Sequence, residues 1–134
     1  MSDRCASDPA RLNHLSSIIL DAAITVHKEM GPGLLEGVYQ RCMVKELRDR
    51  KIDVAMMVPI SLSYKGEPLY KEYVIDILVE DEIVLELKAV EGILPVHEAQ
   101  IISYLKLACK HLGFLINFNV PLLKHGFKRY VNKF

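Results

Sequence analysis

The stretch Glu72-Tyr73-Val74-Ile75-Asp76-Ile77-Leu78-Val79, followed by Ile83-Val84-Leu85-Glu86-Leu87-Lys88-Ala89, decides how the rest of the chain is read. Both halves are rich in Val, Ile and Leu and read as β-strands. The acidic link Glu80-Asp81-Glu82 reads as a hairpin turn. Alternation places Ile75, Ile77 and Val79 on one face of the first strand, and Ile83, Leu85 and Leu87 on one face of the second. If those faces cover one core, odd positions must oppose odd positions, because a one-residue slip turns a strand over. A three-residue loop delivers that register. It pairs Val79 with Ile83 and, further along, Asp76 with Glu86.

The other face then carries Asp76, Glu86 and Lys88. Two carboxylates opposed at roughly 5 Å repel by about 3 kcal/mol at an effective dielectric near 20. A divalent cation between them offsets that repulsion, and a hard ion such as Mg²⁺ suits a few carboxylate oxygens plus water. A solvated strand face is the competing reading, since Glu-x-Lys is common on surfaces.

Working outward, 134 residues suit one domain, residues 1–134, with a loose N-terminus at 1–7. The chain is 51% hydrophobic and 25% charged, which argues for a packed core over disorder. Seventeen basic and seventeen acidic residues cancel, so any grip on nucleic acid must come from a local patch or a metal. Cys5, Cys42 and Cys109 lack metal-type spacing and are expected as reduced thiols in a cytoplasmic protein. No apolar run is long enough to span a membrane.

Asp8-Pro9 starts a first helix, with Asp8 as N-cap, and Gly31-Pro32 stops it. His27, in its last turn, reads as structural. A second helix is expected from about 34 to 50, with Glu36 in its first turn, where it serves either the helix dipole or the strand carboxylates. Strands are expected at 54–64, 69–79 and 83–90, an antiparallel meander, with Pro59 marking an edge or bulge. A third helix runs over 95–110; along it His97, Gln100, Tyr104 and Leu107 lie close to a second stripe, whose Gln and Tyr either face the carboxylates or belong to an ordinary half-exposed helix face. A buried strand at 112–118 and a short strand at 127–131 complete the order. Lys124, His125, Lys128, Arg129 and Lys133 form either a modest basic patch for phosphate or a solubilising tail. There is no Gly-rich phosphate loop, His-Glu-x-x-His or zinc-type cysteine pair.

The ordered set of a helix with Glu36, a strand with Asp76, a strand with Glu86-Leu87-Lys88, a helix with Gln100 and a further strand resembles the PD-(D/E)XK nuclease superfamily. Gly33-Leu34-Leu35-Glu36-Gly37-Val38-Tyr39 resembles the signature of its GxxExxY family. Leu94-Pro95-Val96-His97-Glu98-Ala99-Gln100 and Leu115-Ile116-Asn117-Phe118-Asn119-Val120-Pro121-Leu122 resemble that family too. The resemblance implies an α/β (α+β) restriction-endonuclease-like core: a mixed sheet, meander plus a later strand, flanked by helices. It implies Mg²⁺ or Mn²⁺ held by Asp76, Glu86 and the carbonyl of Leu87, with Glu36 completing the acidic site. Lys88 would orient the attacking water and stabilise phosphate charge, and Gln100 would hold the site. Tyr104, Lys124, Lys128 and Arg129 are candidates for nucleic-acid contact. The Pro that often precedes the Asp in this superfamily is replaced by Ile75. The implied function is metal-dependent hydrolysis of phosphodiester bonds in nucleic acid, DNA before RNA, with a homodimer as one way to grip a duplex. The alternative is a non-catalytic module of the same fold that binds nucleic acid or a protein partner.

Overall fold

The computed structural model describes residues 8–69 and 73–133. The expected loose end at 1–7 and the expected strand residues 70–72 lie outside them. Helix α1 spans Pro9–Met30, capped by the Asp8 carboxylate, which accepts from the Ala10 N–H at 3.1 Å. Its buried stripe is Leu12, Leu15, Ile19, Ala22, Ala23 and Val26. Gly31 ends it at φ 70°, where a side chain would be strained. Helix α2 spans Glu36–Asp49 and buries Tyr39, Met43, Val44 and Leu47.

Strand β1 is Val54–Ile60, and a two-residue ribbon follows, β2 Ser63–Tyr64 against β3 Glu67–Pro68. Next come β4 Tyr73–Val79, β5 Ile83–Lys88, helix α3 Pro95–Ala108, β6 Leu112–Asn117, a 3-10 turn Leu123–His125 and β7 Phe127–Val131. The expected strand at 54–64 is thus divided, and Pro59 sits on the edge strand β1, where a missing N–H costs no central ladder bond. The five-stranded sheet has the order β1-β4-β5-β6-β7. Only β5 and β6 are parallel, joined by the α3 crossover; the other pairs are antiparallel. This is the mixed, helix-flanked α/β sheet expected.

Two apolar layers cover the sheet. One joins α1 and α2 to Ile77, Val79, Ile83, Leu85, Leu87, Phe114 and Ile116. The other joins Ile101, Tyr104 and Leu105 of α3 to Leu78, Val84 and Leu115. Ile75 belongs to the α3 layer, not to the face of Ile77 and Val79 as alternation implied. The cause is a distortion at Asp76. The β1–β4 ladder runs from Val54↔Val79 to Ile60↔Tyr73 but omits Met57↔Asp76, and Met57 takes φ 50°. β1 changes sides at the same place: Val54 packs toward α1 and α2, while Val58 and Ile60 pack toward α3.

Candidate active site

The hairpin has the register read from its alternation. Val79 pairs with Ile83, Leu78 with Val84 and Ile77 with Leu85. Its tip is strained: Glu80 and Asp81 lie at φ 52° and 57°, in the left-handed region. Ion pairs hold it there. Arg11 binds Glu80 at 2.9 Å and also pairs with Glu82, and the Lys110 ammonium donates to the Asp81 carbonyl at 2.8 Å.

At the other end the backbone pairing stops after Ile77↔Leu85. Asp76 and Glu86 come next in register, and their side chains take over the hydrogen bonding. The Asp76 N–H donates to Glu86 Oε2 at 2.9 Å, and the Leu87 N–H donates to Asp76 Oδ2 at 2.9 Å. Each carboxylate thus occupies a donor beside the other, and β4 and β5 part around them. Beyond this point β4 continues against β1 and β5 against β6.

The electrostatics follow from this crowding. Glu86 is 3% exposed, and burial, then the Asp76 charge, push its pKa up from 4.5 to about 8. Burial also raises Asp76, while the Leu87 N–H and the Lys88 charge oppose the rise. Lys88 lowers Glu36 and Glu86 too, so its ammonium lies within the field of all three acids. Glu36 opens α2 and stays solvent-exposed. Partial enclosure raises its pKa, Lys88 opposes this, Asp76 adds to it and His97 opposes it.

The corner that presents Glu36 is built by Tyr39, which is fully buried. Its hydroxyl donates to the Gly31 carbonyl at 2.5 Å and accepts from the Leu34 N–H at 3.2 Å. Its ring stacks on Phe118 at 4.5 Å between centroids. Gly33 takes φ 94° within that corner. The Gly33…Glu36…Tyr39 spacing therefore has a mechanical meaning: a glycine turn, an acid at the helix start, and a phenol one turn later that clamps the turn.

On the α3 side the Gln100 amide donates to the Tyr104 hydroxyl at 3.0 Å. Burial raises the Tyr104 pKa, the Gln100 bond opposes the rise, and Glu86 and Asp76 add to it. Gln100 thus holds a hydroxyl on which the Asp76 and Glu86 charges act. The structure brings Glu36, Asp76, Glu86, Lys88 and Tyr104 into one electrostatic neighbourhood. It does not gather the basic tail there. Lys128 lies 3.8 Å from Glu98, Arg129 lines a cavity with Pro9, Leu12 and Asn13, and Lys124 lines a groove with His27 and Pro32.

Two further neighbours are Gln40, which carries no expectation from the sequence, and His97 of the α3 stripe. Gln40 donates to the Asp76 carbonyl at 3.1 Å, fixing β4 where it parts from β5. It lies four residues after Glu36, so the helical i, i+4 spacing was the available signal. His97 accepts from the Leu94 N–H at 3.0 Å, capping α3 beside Glu36. His27 bonds the Val120 carbonyl at 2.8 Å, a structural role. Cys42 is a free thiol, but Cys109 is disulfide-bonded, which departs from the reduced state expected.

A family model for the PD-(D/E)XK nuclease superfamily matches residues 13–130 of the 134. The chain belongs to the PD-(D/E)XK nuclease superfamily. No curated protein and no solved structure matches it significantly. Members of this superfamily generally use divalent metals. Among the described residues of this PD-(D/E)XK chain, no three His, Cys, Asp or Glu side chains are gathered to hold an ion by themselves. The donor set nevertheless fits a hard cation that keeps much of its water shell. Only one oxygen of each carboxylate is engaged by a backbone N–H. Neither second oxygen, Asp76 Oδ1 or Glu86 Oε1, is among the described side-chain atoms buried without a hydrogen-bond partner. Nor is any described helix long and apolar enough to cross a membrane.

Proposed function

We propose that this protein is a Mg²⁺-dependent nuclease that hydrolyses phosphodiester bonds in nucleic acid, DNA before RNA. One observation carries the reading. Asp76 and Glu86 are brought together where β4 and β5 part, burial raises both, the Asp76 charge raises Glu86 further, and Lys88 lies in their field. A superfamily of nucleases supplies the reaction class.

The free oxygens of Asp76 and Glu86, with the Leu87 carbonyl, would hold Mg²⁺ or Mn²⁺, and Glu36 would extend the site through water. The cation, when bound, supplies a Lewis acid for the phosphate and acidifies water. Lys88 orients the attacking water and balances charge developing on the phosphate oxygens. Glu36, exposed at the rim, accepts a proton from that water. Gln100 fixes the Tyr104 hydroxyl, which faces the substrate. Gln40 holds the Asp76 backbone so that the two carboxylates keep their spacing. A cytoplasmic homodimer, giving two such sites to one duplex, belongs to the same proposal.

Purified protein with Mg²⁺ should cleave labelled oligonucleotides, and Asp76→Ala, Glu86→Ala and Lys88→Ala should each lower the rate by at least about 10²-fold. Folding of each variant is checked by circular dichroism. Well-folded wild-type protein that cuts no single- or double-stranded substrate in Mg²⁺ or Mn²⁺ would favour the non-catalytic binding module instead.

A further inference from the structure

Beside the carboxylates lies a groove of about 410 Å³ lined by Tyr73, Val96, His97, Ala99, Gln100, Ser103, Tyr104 and Leu107. That volume falls at the small end of the range for ligand pockets, roughly 300–1,000 Å³. Two of its lining rings form an edge-to-face pair, Tyr73 against Tyr104, with centroids 6.3 Å apart. Tyr73 is 40% exposed and Leu107 47%, so ring and alkyl surface face solvent. Among the described lining residues there is no Lys or Arg. Gln100 and Ser103 supply amide and hydroxyl groups. Such a lining suits a flat, uncharged, hydrogen-bonding ring better than a phosphate chain.

The groove neighbours the candidate site through Tyr104. Tyr104 belongs to both: it lines the groove, and the Asp76 and Glu86 charges act on its hydroxyl. Tyr73 is the first residue of β4, three before Asp76. A ring lodged between Tyr73 and α3 therefore sits next to any phosphate held at the carboxylates. In a continuous duplex, base faces are covered by their neighbours and only edges and phosphates are presented. In a single strand the faces are free to stack on aromatic side chains.

We propose that the Tyr73–Tyr104 groove takes one unstacked nucleobase, so that the substrate class is single-stranded or frayed nucleic acid and not continuous duplex. This rests on the nuclease reading above and narrows its substrate. Tyr73 supplies the stacking surface, Leu107 and Val96 the apolar side, and Gln100 and Ser103 the hydrogen-bonding groups at the base edge.

The test combines binding and cleavage. Fluorescence anisotropy of a labelled single-stranded oligodeoxynucleotide, read in EDTA, reports the groove without chemistry. Tyr73→Ala should weaken that binding roughly five- to hundredfold, the range for loss of one stacked base. Tyr73→Phe should retain it. Leu107→Glu, on an exposed helix position, should weaken it as well and stands in if Tyr73→Ala fails to fold. Duplex binding should change little in all three. In Mg²⁺ the wild type should cut the single strand faster than the duplex, and Tyr73→Ala should erase that difference. Cleavage of both forms at equal rates, with binding indifferent to Tyr73 and Leu107, overturns the groove assignment and leaves the nuclease reading intact. Tyr73-dependent binding without any cleavage does the reverse. If the variants change only the oligomeric state, measured by light scattering, the surface is a self-contact and the assignment fails.

Discussion

Glu86→Gln should stabilise the metal-free protein, and the gain should depend on pH in one direction only. In the folded state the Glu86 carboxyl is raised from 4.5 to about 8 by burial and by the charge of Asp76. The folded state therefore keeps a proton that the unfolded chain releases across that interval. Below about pH 4.5 both states are protonated and nothing is lost. As pH climbs toward 8 the stability falls, and above 8 the full cost of a buried charge is present. At about 1.4 kcal/mol per pH unit the interval amounts to roughly 5 kcal/mol, an upper bound because Asp76 shares the repulsion. Half of it, about 2.5 kcal/mol, moves Tm by roughly 10 °C for a chain of this size. Glutamine keeps an oxygen to accept from the Asp76 N–H and cannot ionise. Thermal unfolding in EDTA, from pH 5 to 9, should show wild type and Glu86→Gln converging at the acid end and separating steadily above it. Added Mg²⁺ at ten times its Kd should return about 1.4 kcal/mol to the wild type at pH 8 and nothing to the variant. A difference between the two proteins that stays flat with pH, or a variant less stable at pH 8, would refute the claim that ionised Glu86 burdens the fold.

Other substitutions probe the frame. Tyr39→Phe removes a hydroxyl that bonds both Gly31 and Leu34 in a buried corner, so urea unfolding should show a loss of about 1–3 kcal/mol. If Tyr39 sets the position of Glu36, cleavage by Tyr39→Phe should fall further than its folded fraction does. Gly126→Ala should be severe, because a Cβ there would meet the Asn117 carbonyl oxygen at 2.1 Å. That oxygen is backbone and has no room to yield, so a soluble, fully folded variant with unchanged Tm would contradict the packing around β6.

The hairpin was legible because two constraints met on one short stretch. Apolar alternation on both strands and a three-residue loop allow a single register, and Val79↔Ile83 follows. The helix caps were legible from Asp8-Pro9 and Gly31-Pro32, where the local chemistry alone decides. The side change at Asp76 was not. Nothing in Ile75-Asp76-Ile77 announces it, because the break also involves another strand, where Met57 opposes Asp76. The scattered basic residues could have been anticipated in part. Lys128 and Arg129 are consecutive on β7, and neighbours on a strand point to opposite faces, so they could not form one patch. Gln40 was within reach by counting one turn from Glu36. Its target, a backbone carbonyl on β4, was beyond any local pattern.

The place where alternation fails is the place where the candidate chemistry sits, and a physical reason connects the two. In a regular sheet, carbonyls of the neighbouring strands would accept from the Asp76 and Leu87 N–H groups and leave no gap. Here two carboxylates accept those donors, so the sheet loses ladder bonds without leaving buried polar groups unpaired. The strands are held apart by the same groups proposed to bind the cation. Replacing either acid with alanine then does two things at once: it removes a ligand, and it strands a backbone donor at the fork. The amide variants, Asp76→Asn and Glu86→Gln, separate the two effects, since they retain an acceptor for each N–H while removing the charge.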